Sequence, residues 1–275
     1  MLVGLSFPSC SKEKLEAQIP AYIAIDHFNL TTNTSTQGSA SEKIVDAWVY
    51  VNDDLLGVYT LPAKIPVLAE GVRNLKIYAG IKENGIGSTR VRYLMYTPYD
   101  EQVNFVVGET ITINPDITYQ SSLQFPFLED FENASLPFSY HANSDTDLTK
   151  SAIDVFEGDF SGRVFLTPSM SFFEMQTTTL TSLPTNGAPI ALEFDYKCNE
   201  TMLVGIYAGT EQLSLVFINP TTSWNKIYVN LTGIVSSRPN AGSYKVYFGI
   251  LDVPSLPFLT ANPELYFDNM KIVHF

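Results

Sequence analysis

The sequence predicts an all-β protein built as two β-sandwich domains, the second of them a jelly roll. Short runs alternate apolar and polar residues, as strands with one buried face do. No stretch holds a helical 3.6-residue period. Turn residues interrupt the chain at short intervals, with Glu83-Asn84-Gly85 the clearest, because Asn-Gly supplies the positive φ of a tight hairpin. Of 275 residues 45% are hydrophobic, enough to build a sizeable core.

In the first half, alternation marks strands over 19–25, 45–51, 55–61, 72–81, 90–96, 102–107 and 110–113. Asn52-Asp53-Asp54 turns one strand into the next, and Pro62 and Pro66 bracket a short crossing segment. The polar run 31–41 reads as a loop. Short strands at this spacing argue an antiparallel sandwich over residues 19–118. A polar connection bounded by Pro115 and Pro126 places a short linker at 119–126, so the second domain runs over 127–275. There strands are expected at 190–196, 202–207, 213–218, 226–231, 244–251 and 265–273, with no helix.

That domain opens on Phe127-Leu128-Glu129-Asp130-Phe131-Glu132. Alternation puts Asp130 and Glu132 on one face and Phe127 and Phe131 on the other. Like charges so close call for a cation or a set of donors. Near the other end, Asp268 is expected on the strand face of Met270 and Ile272, where a carboxylate is costly unless paired or bound to metal. The reading is that first and last strands meet at a small calcium site.

The net charge of −13 argues against binding nucleic acid phosphates or docking on an anionic membrane through a basic face. Of the two cysteines, Cys198 is expected as a structural thiol and Cys10 sits near the N-terminus, which makes an internal disulfide improbable and leaves no zinc spacing. Phe7-Pro8-Ser9-Cys10 resembles the end of a lipoprotein signal peptide. Residues 1–18 are therefore read as a signal remnant and tether, with the true start upstream and Cys10 the lipidated residue and sole membrane attachment.

The polar segment after Cys10 resembles the tether of surface lipoproteins of Bacteroidetes. The run 47–57, then Leu61-Pro62 and Glu70-Gly71, resembles a PEGA-type or Ig-like surface β-domain. In the second half, Glu129-Asp130-Phe131-Glu132, the glycine-rich Gly158–Gly162, Leu192-Glu193-Phe194-Asp195-Tyr196, Trp224 and the closing Tyr266–Ile272 together resemble a galactose-binding-like jelly roll of the carbohydrate-binding-module and MAM kind, without the MAM disulfides. That resemblance implies a structural Ca²⁺ held by Asp130, Glu132 and Asp268 with backbone carbonyls. It also implies glycan binding on a concave sheet face or at rim loops. Tyr140, Phe172, Phe173 and Phe258 are the candidate platforms, and neighbours 172 and 173 must point opposite ways on a strand.

His27, His141 and His274 are scattered, and no metalloprotease, nucleophile-elbow or phosphate-loop motif is present. The expectation is a non-catalytic, lipid-anchored protein of the outer membrane or cell surface that binds a polysaccharide. The alternative is a structural or assembly component of an outer-membrane complex, docking an envelope protein through the apolar loop 254–259.

Overall fold

The structure is a computed structural model that describes residues 18–251 and 257–275. Cys10, its tether and residues 252–256 of the apolar loop lie outside the described residues. The chain is all-β. Its first half contains β1 (Ala21–Ile25), β2 (Asn29–Thr31), α1 (Thr34–Gln37), β3 (Asp46–Val51), β4 (Asp54–Thr60), β5 (Ala63–Val67), β6 (Gly71–Lys82), β7 (Arg90–Arg92), β8 (Tyr99–Phe105), β9 (Thr110–Thr112) and β10 (Asp116–Thr118). The second half contains β11 (Gln124–Glu129), β12 (Phe138–Tyr140), β13 (Thr149–Ser151), β14 (Ser161–Phe165), β15 (Phe172–Thr177), β16 (Ile190–Cys198), β17 (Met202–Ala208), β18 (Glu211–Ile218), β19 (Thr221–Asn230), α2 (Thr232–Ser236), β20 (Tyr244–Leu251) and β21 (Glu264–His274).

The first half packs a sheet of order β5-β1-β9 against one of order β4-β3-β6-β7, with β8 also paired to β6. Asn52 and Asp53 both hold positive φ, 50° and 66°, which gives β3 and β4 the tight hairpin their twist needs. The antiparallel expectation holds for most pairs but not all: β1 runs parallel to β9, and β2 parallel to β10. The crossing segment after Pro62 is strand β5, and the expected polar loop 31–41 starts at the last residue of β2 and contains the short α1.

The second half is a sandwich of two sheets, β13-β14-β21-β16-β19 with β11 added on β21, and β12-β15-β20-β17-β18. First and last strands meet, since β11 pairs antiparallel with β21. Between the sheets lie Leu192 and Phe194 of β16, Phe267, Met270 and Ile272 of β21, Phe173 and Met175 of β15, Val204 and Ile206 of β17, and Val246 and Phe248 of β20. Phe248 meets Phe194 and Phe267 edge-on at 5.3 and 5.4 Å, the arrangement favoured by the ring quadrupole.

Alternation along β21 breaks at Asn269, whose φ is +48°, opposite a register shift between Glu193 and Asp195. This bulge corrects the placement of Asp268. It does not share the face of Met270 and Ile272; it faces outward beside Asp195. Asparagine tolerates the left-handed region at small cost, which explains its place here.

The outer face of β16, β19 and β21 is partly roofed by the first half. Ala191, Tyr228 and Val273 join the first half's core. Glu193, fully buried, accepts from the hydroxyls of Tyr93 and Tyr119. Lys271, also buried, donates to the carbonyls of Gln37 and Ser39 at 2.7 Å each. Lys226 lies 3.7 Å from Glu193 and 3.9 Å from Asp195. The expected Asn84-Gly85 turn forms within a longer 83–89 loop that docks on β19: the Asn84 N–H donates to the Tyr228 carbonyl, and its side-chain Oδ1 accepts from the Asn230 N–H. The expected linker 119–126 is likewise packed, with Tyr119 and Leu123 buried and β11 beginning at Gln124.

Candidate functional site

The outer face of the five-stranded sheet β12-β15-β20-β17-β18 lies on the side of the second half away from the first half's core and carries a groove of about 320 Å³. Its geometry follows from pairing register. Phe217 of β18 lies opposite Leu203 of β17, Leu203 opposite Gly249 of β20, and Gly249 opposite Glu174 of β15. Glycine at position 249 leaves a trough between Leu203 and Glu174, where a side chain would otherwise stand. Four strands at the usual spacing of ~4.8 Å make this row about 14 Å long.

The walls are apolar. Phe217 and Leu251 are exposed, while Phe172 and Phe258 are half-buried. His141 meets Phe172 edge-on at 5.3 Å. The floor is polar and built. Glu174 is 4% exposed; its Oε1 accepts from the Tyr207 hydroxyl at 2.8 Å and from Gln176 Nε2 at 3.1 Å, and its Oε2 accepts from Gln212 Nε2 at 2.8 Å. A carboxylate on a sheet face would be costly without these donors. Burial and the Glu174 carboxylate together push the Tyr207 phenol well up, which keeps it a proton donor. Beneath lies Tyr247, packed 5.2 Å from Tyr207. At the rim, Glu200 accepts from the backbone N–H of Leu259 at 2.6 Å and of Thr201 at 2.8 Å, and so fixes the segment carrying Phe258.

This is the chemistry of a site for a ligand with both apolar faces and hydroxyls. Clefts of a few hundred Å³ with apolar walls and a few placed polar groups are the usual form of small-ligand sites. The exposed rings offer surface to C–H faces, and the carboxylate–amide floor offers acceptors and donors.

No protein-family model and no curated protein matches the sequence. Solved structures similar to the chain include carbohydrate-binding modules and the enzymatically active domain of a bacteriophage CBA120 tailspike protein, 14% identical over 53% of this chain and 20% of that one, with a TM-score of 0.39. A xylan-binding domain of family 22 is 11% identical, over 55% of this chain and 94% of that one, with a TM-score of 0.37. The second family 22 xylan-binding domain of Paenibacillus barcinonensis Xyn10C is 12% identical over 54% and 99%, with a TM-score of 0.41. A third, a carbohydrate-binding module of the β-sandwich superfamily described as promiscuous in specificity, is 12% identical over 93% and 99%, with a TM-score of 0.40. A likeness at these identities concerns the fold; what the groove binds is argued from its own residues.

Of the expected platforms, Phe172 and Phe258 line the groove. Phe173 does not: it is fully buried between the sheets, as the opposite direction of neighbours on β15 requires. Tyr140 is half-buried elsewhere, with its hydroxyl on the Leu148 carbonyl at 3.2 Å. Phe217, Leu203, Glu174, Gln212 and Gly249 were not expected. The signal was present in Phe172-Phe173-Glu174-Met175-Gln176, where period-2 alternation places Phe172, Glu174 and Gln176 together.

The three expected calcium ligands are not brought together as a set. Among the described residues no group of three or more His, Cys, Asp or Glu gathers in a metal-holding arrangement. Asp268 Oδ2 accepts from the N–H groups of Phe156 and Glu157, and Oδ1 from Asn269. Glu132 Oε1 accepts from the N–H groups of Asp159 and Phe160 at 2.9 Å each, in a turn where Gly158 at φ +75° leaves no room for a Cβ. Asp130 Oδ1 accepts from the Glu132 N–H at 3.1 Å. The nearby carbonyls of Glu132 and Asn133 accept from the Lys150 ammonium. These carboxylates meet the alternative need, a set of donors, and anchor the 154–161 loop to both strands.

Proposed function

We propose that the chain is a non-catalytic, polysaccharide-binding protein and that the groove across β15, β20, β17 and β18 is its binding site. The observation that carries this reading is the row Phe217–Leu203–Gly249–Glu174, with Phe172 and Phe258 at its rim: a trough one residue deep, with apolar walls and a buried carboxylate held by a tyrosine and two amides. Binding rather than catalysis is supported by the state of the carboxylates, since both oxygens of Glu174 and of Glu200 are already engaged as acceptors. A cell-surface setting, with attachment through lipidated Cys10, belongs to the same proposal and is supported by the Phe7-Pro8-Ser9-Cys10 pattern. Metabolic palmitate labelling that survives Cys10→Ala contradicts the attachment.

Affinity electrophoresis in gels containing xylan, β-glucan, galactan or mannan tests the site. The expected result is retardation by at least one polymer, weakened roughly tenfold by Phe217→Ala or Phe172→Ala, the usual size of a central aromatic contact. Phe217 is 58% exposed, so its truncation leaves the core intact. Mobility unchanged in every gel contradicts the reading.

A further inference from the structure

The opposite side of the sandwich carries a second cleft. Along the outer face of β16, β19 and β21, one end lies under the first half, at Glu193, Tyr228 and Lys271. The other end is not roofed, and there a cleft of about 490 Å³ is lined by Asp154, Lys197, Asn199, Thr221, Glu264 and Tyr266 among others. Trp224 packs behind two of these lining residues, donating Nε1 to Asp154 Oδ1 at 2.7 Å, with its ring 6.2 Å from Tyr266 and 5.7 Å from Phe156. Phe156 is 43% exposed.

Two features indicate what the cleft would hold. Its charges cancel in pairs: Lys197 with Asp154, and Arg163 with Glu264 at 2.6 Å. An ionic partner therefore gains little, and a neutral one meets no unbalanced charge. Among the described residues Thr221 Oγ1, closed to solvent at the floor of the cleft, has no hydrogen-bond partner, an arrangement that costs free energy. A hydroxylated, uncharged ligand suits such a lining, and its C–H faces meet the Tyr266 ring, beside which Trp224 and Phe156 pack.

We propose that this cleft, lined by Asp154, Lys197, Thr221 and Tyr266 with Trp224 and Phe156 packed beside it, is a second site for neutral saccharides, so that the sandwich engages polymer on both of its sheets. This site is independent of the groove on β15 and β20, and the two are separable by spectroscopy. The chain has two tryptophans, Trp48 in the first half and Trp224 here, and the groove is lined by neither. In a Trp48→Phe protein all tryptophan emission comes from Trp224. Titration with soluble xylan, β-glucan, galactan and mannan is expected to change that emission saturably with at least one polymer. The change should persist when Phe217→Ala disables the groove, and its midpoint should rise about tenfold with Phe156→Ala. An emission change together with gel retardation that Phe217→Ala and Phe172→Ala leave unaltered upholds this site while the groove reading falls. Emission that responds to none of the polymers, or a response lost with Phe217→Ala, overturns it.

Discussion

Asp268 shows how one residue's surroundings reach a measurable property of the whole protein. Its carboxyl is 1% exposed, and burial pushes its pKa from the ordinary 3.8 up to about 7, against the pull of the Glu157, Asn269 and Phe156 N–H groups. A raised folded-state pKa means that the native protein holds a proton that the unfolded chain has already released. Stability from this group is therefore full below about pH 4 and is lost as pH rises toward 7. Denaturant midpoints are expected to fall across that window, and Asp268→Asn should flatten the slope; an unchanged slope contradicts the assignment. Lys271 acts in a separate window, its pKa lowered to about 8 by burial, so that stability is recovered as pH rises above 8. Gly205 illustrates packing at the same scale. A Cβ there would lie 2.4 Å from the Leu213 carbonyl and from the Tyr247 ring, so Gly205→Ala should cost roughly 1–3 kcal/mol in denaturation experiments.

At the scale of elements, the long strands were legible and the short ones were not. Patterning located β3, β6, β16, β17, β20 and β21 within a residue or two, because each is a long run rich in apolar, β-branched and aromatic residues between turn signals. Three-residue strands such as β10, β12 and β13 carry too little pattern, and β15 was missed although it bears the groove's carboxylate. Both faces of β21 are buried, so its polar residues Asp268, Asn269 and Lys271 read against the pattern. A bulge and a second covering layer reconcile them, and neither can be seen within one strand's sequence. The covering contact is held by Lys271. Lys271→Met removes the donor to the Gln37 and Ser39 carbonyls and one positive charge beside Glu193 and Asp195, and should destabilise the fold by about 3 kcal/mol or more. Equilibrium urea unfolding reads the loss directly, and a change within ±0.5 kcal/mol contradicts a bonding role.

For the whole molecule, the expectation of two sandwiches joined by a linker understates how the halves are connected. The sheet containing β16, β19 and β21 packs one face in the second core and part of its other face in the first, and the 83–89 loop hydrogen-bonds to β19. Calorimetry is expected to show one unfolding transition rather than two. This arrangement takes one sheet of the sandwich partly out of play for ligands and leaves the other sheet's outer face, with its groove, away from the contact. Backbone chemical-shift mapping of ¹⁵N-labelled protein, titrated with an oligosaccharide of whichever polymer retards it, tests the groove most directly. The predicted perturbations cluster at Phe172–Gln176, Leu203, Gln212, Phe217 and Tyr247–Leu251. Shifts confined to the first half, or absent from β15 and β20 at saturating ligand, contradict the assignment of this groove as the binding site.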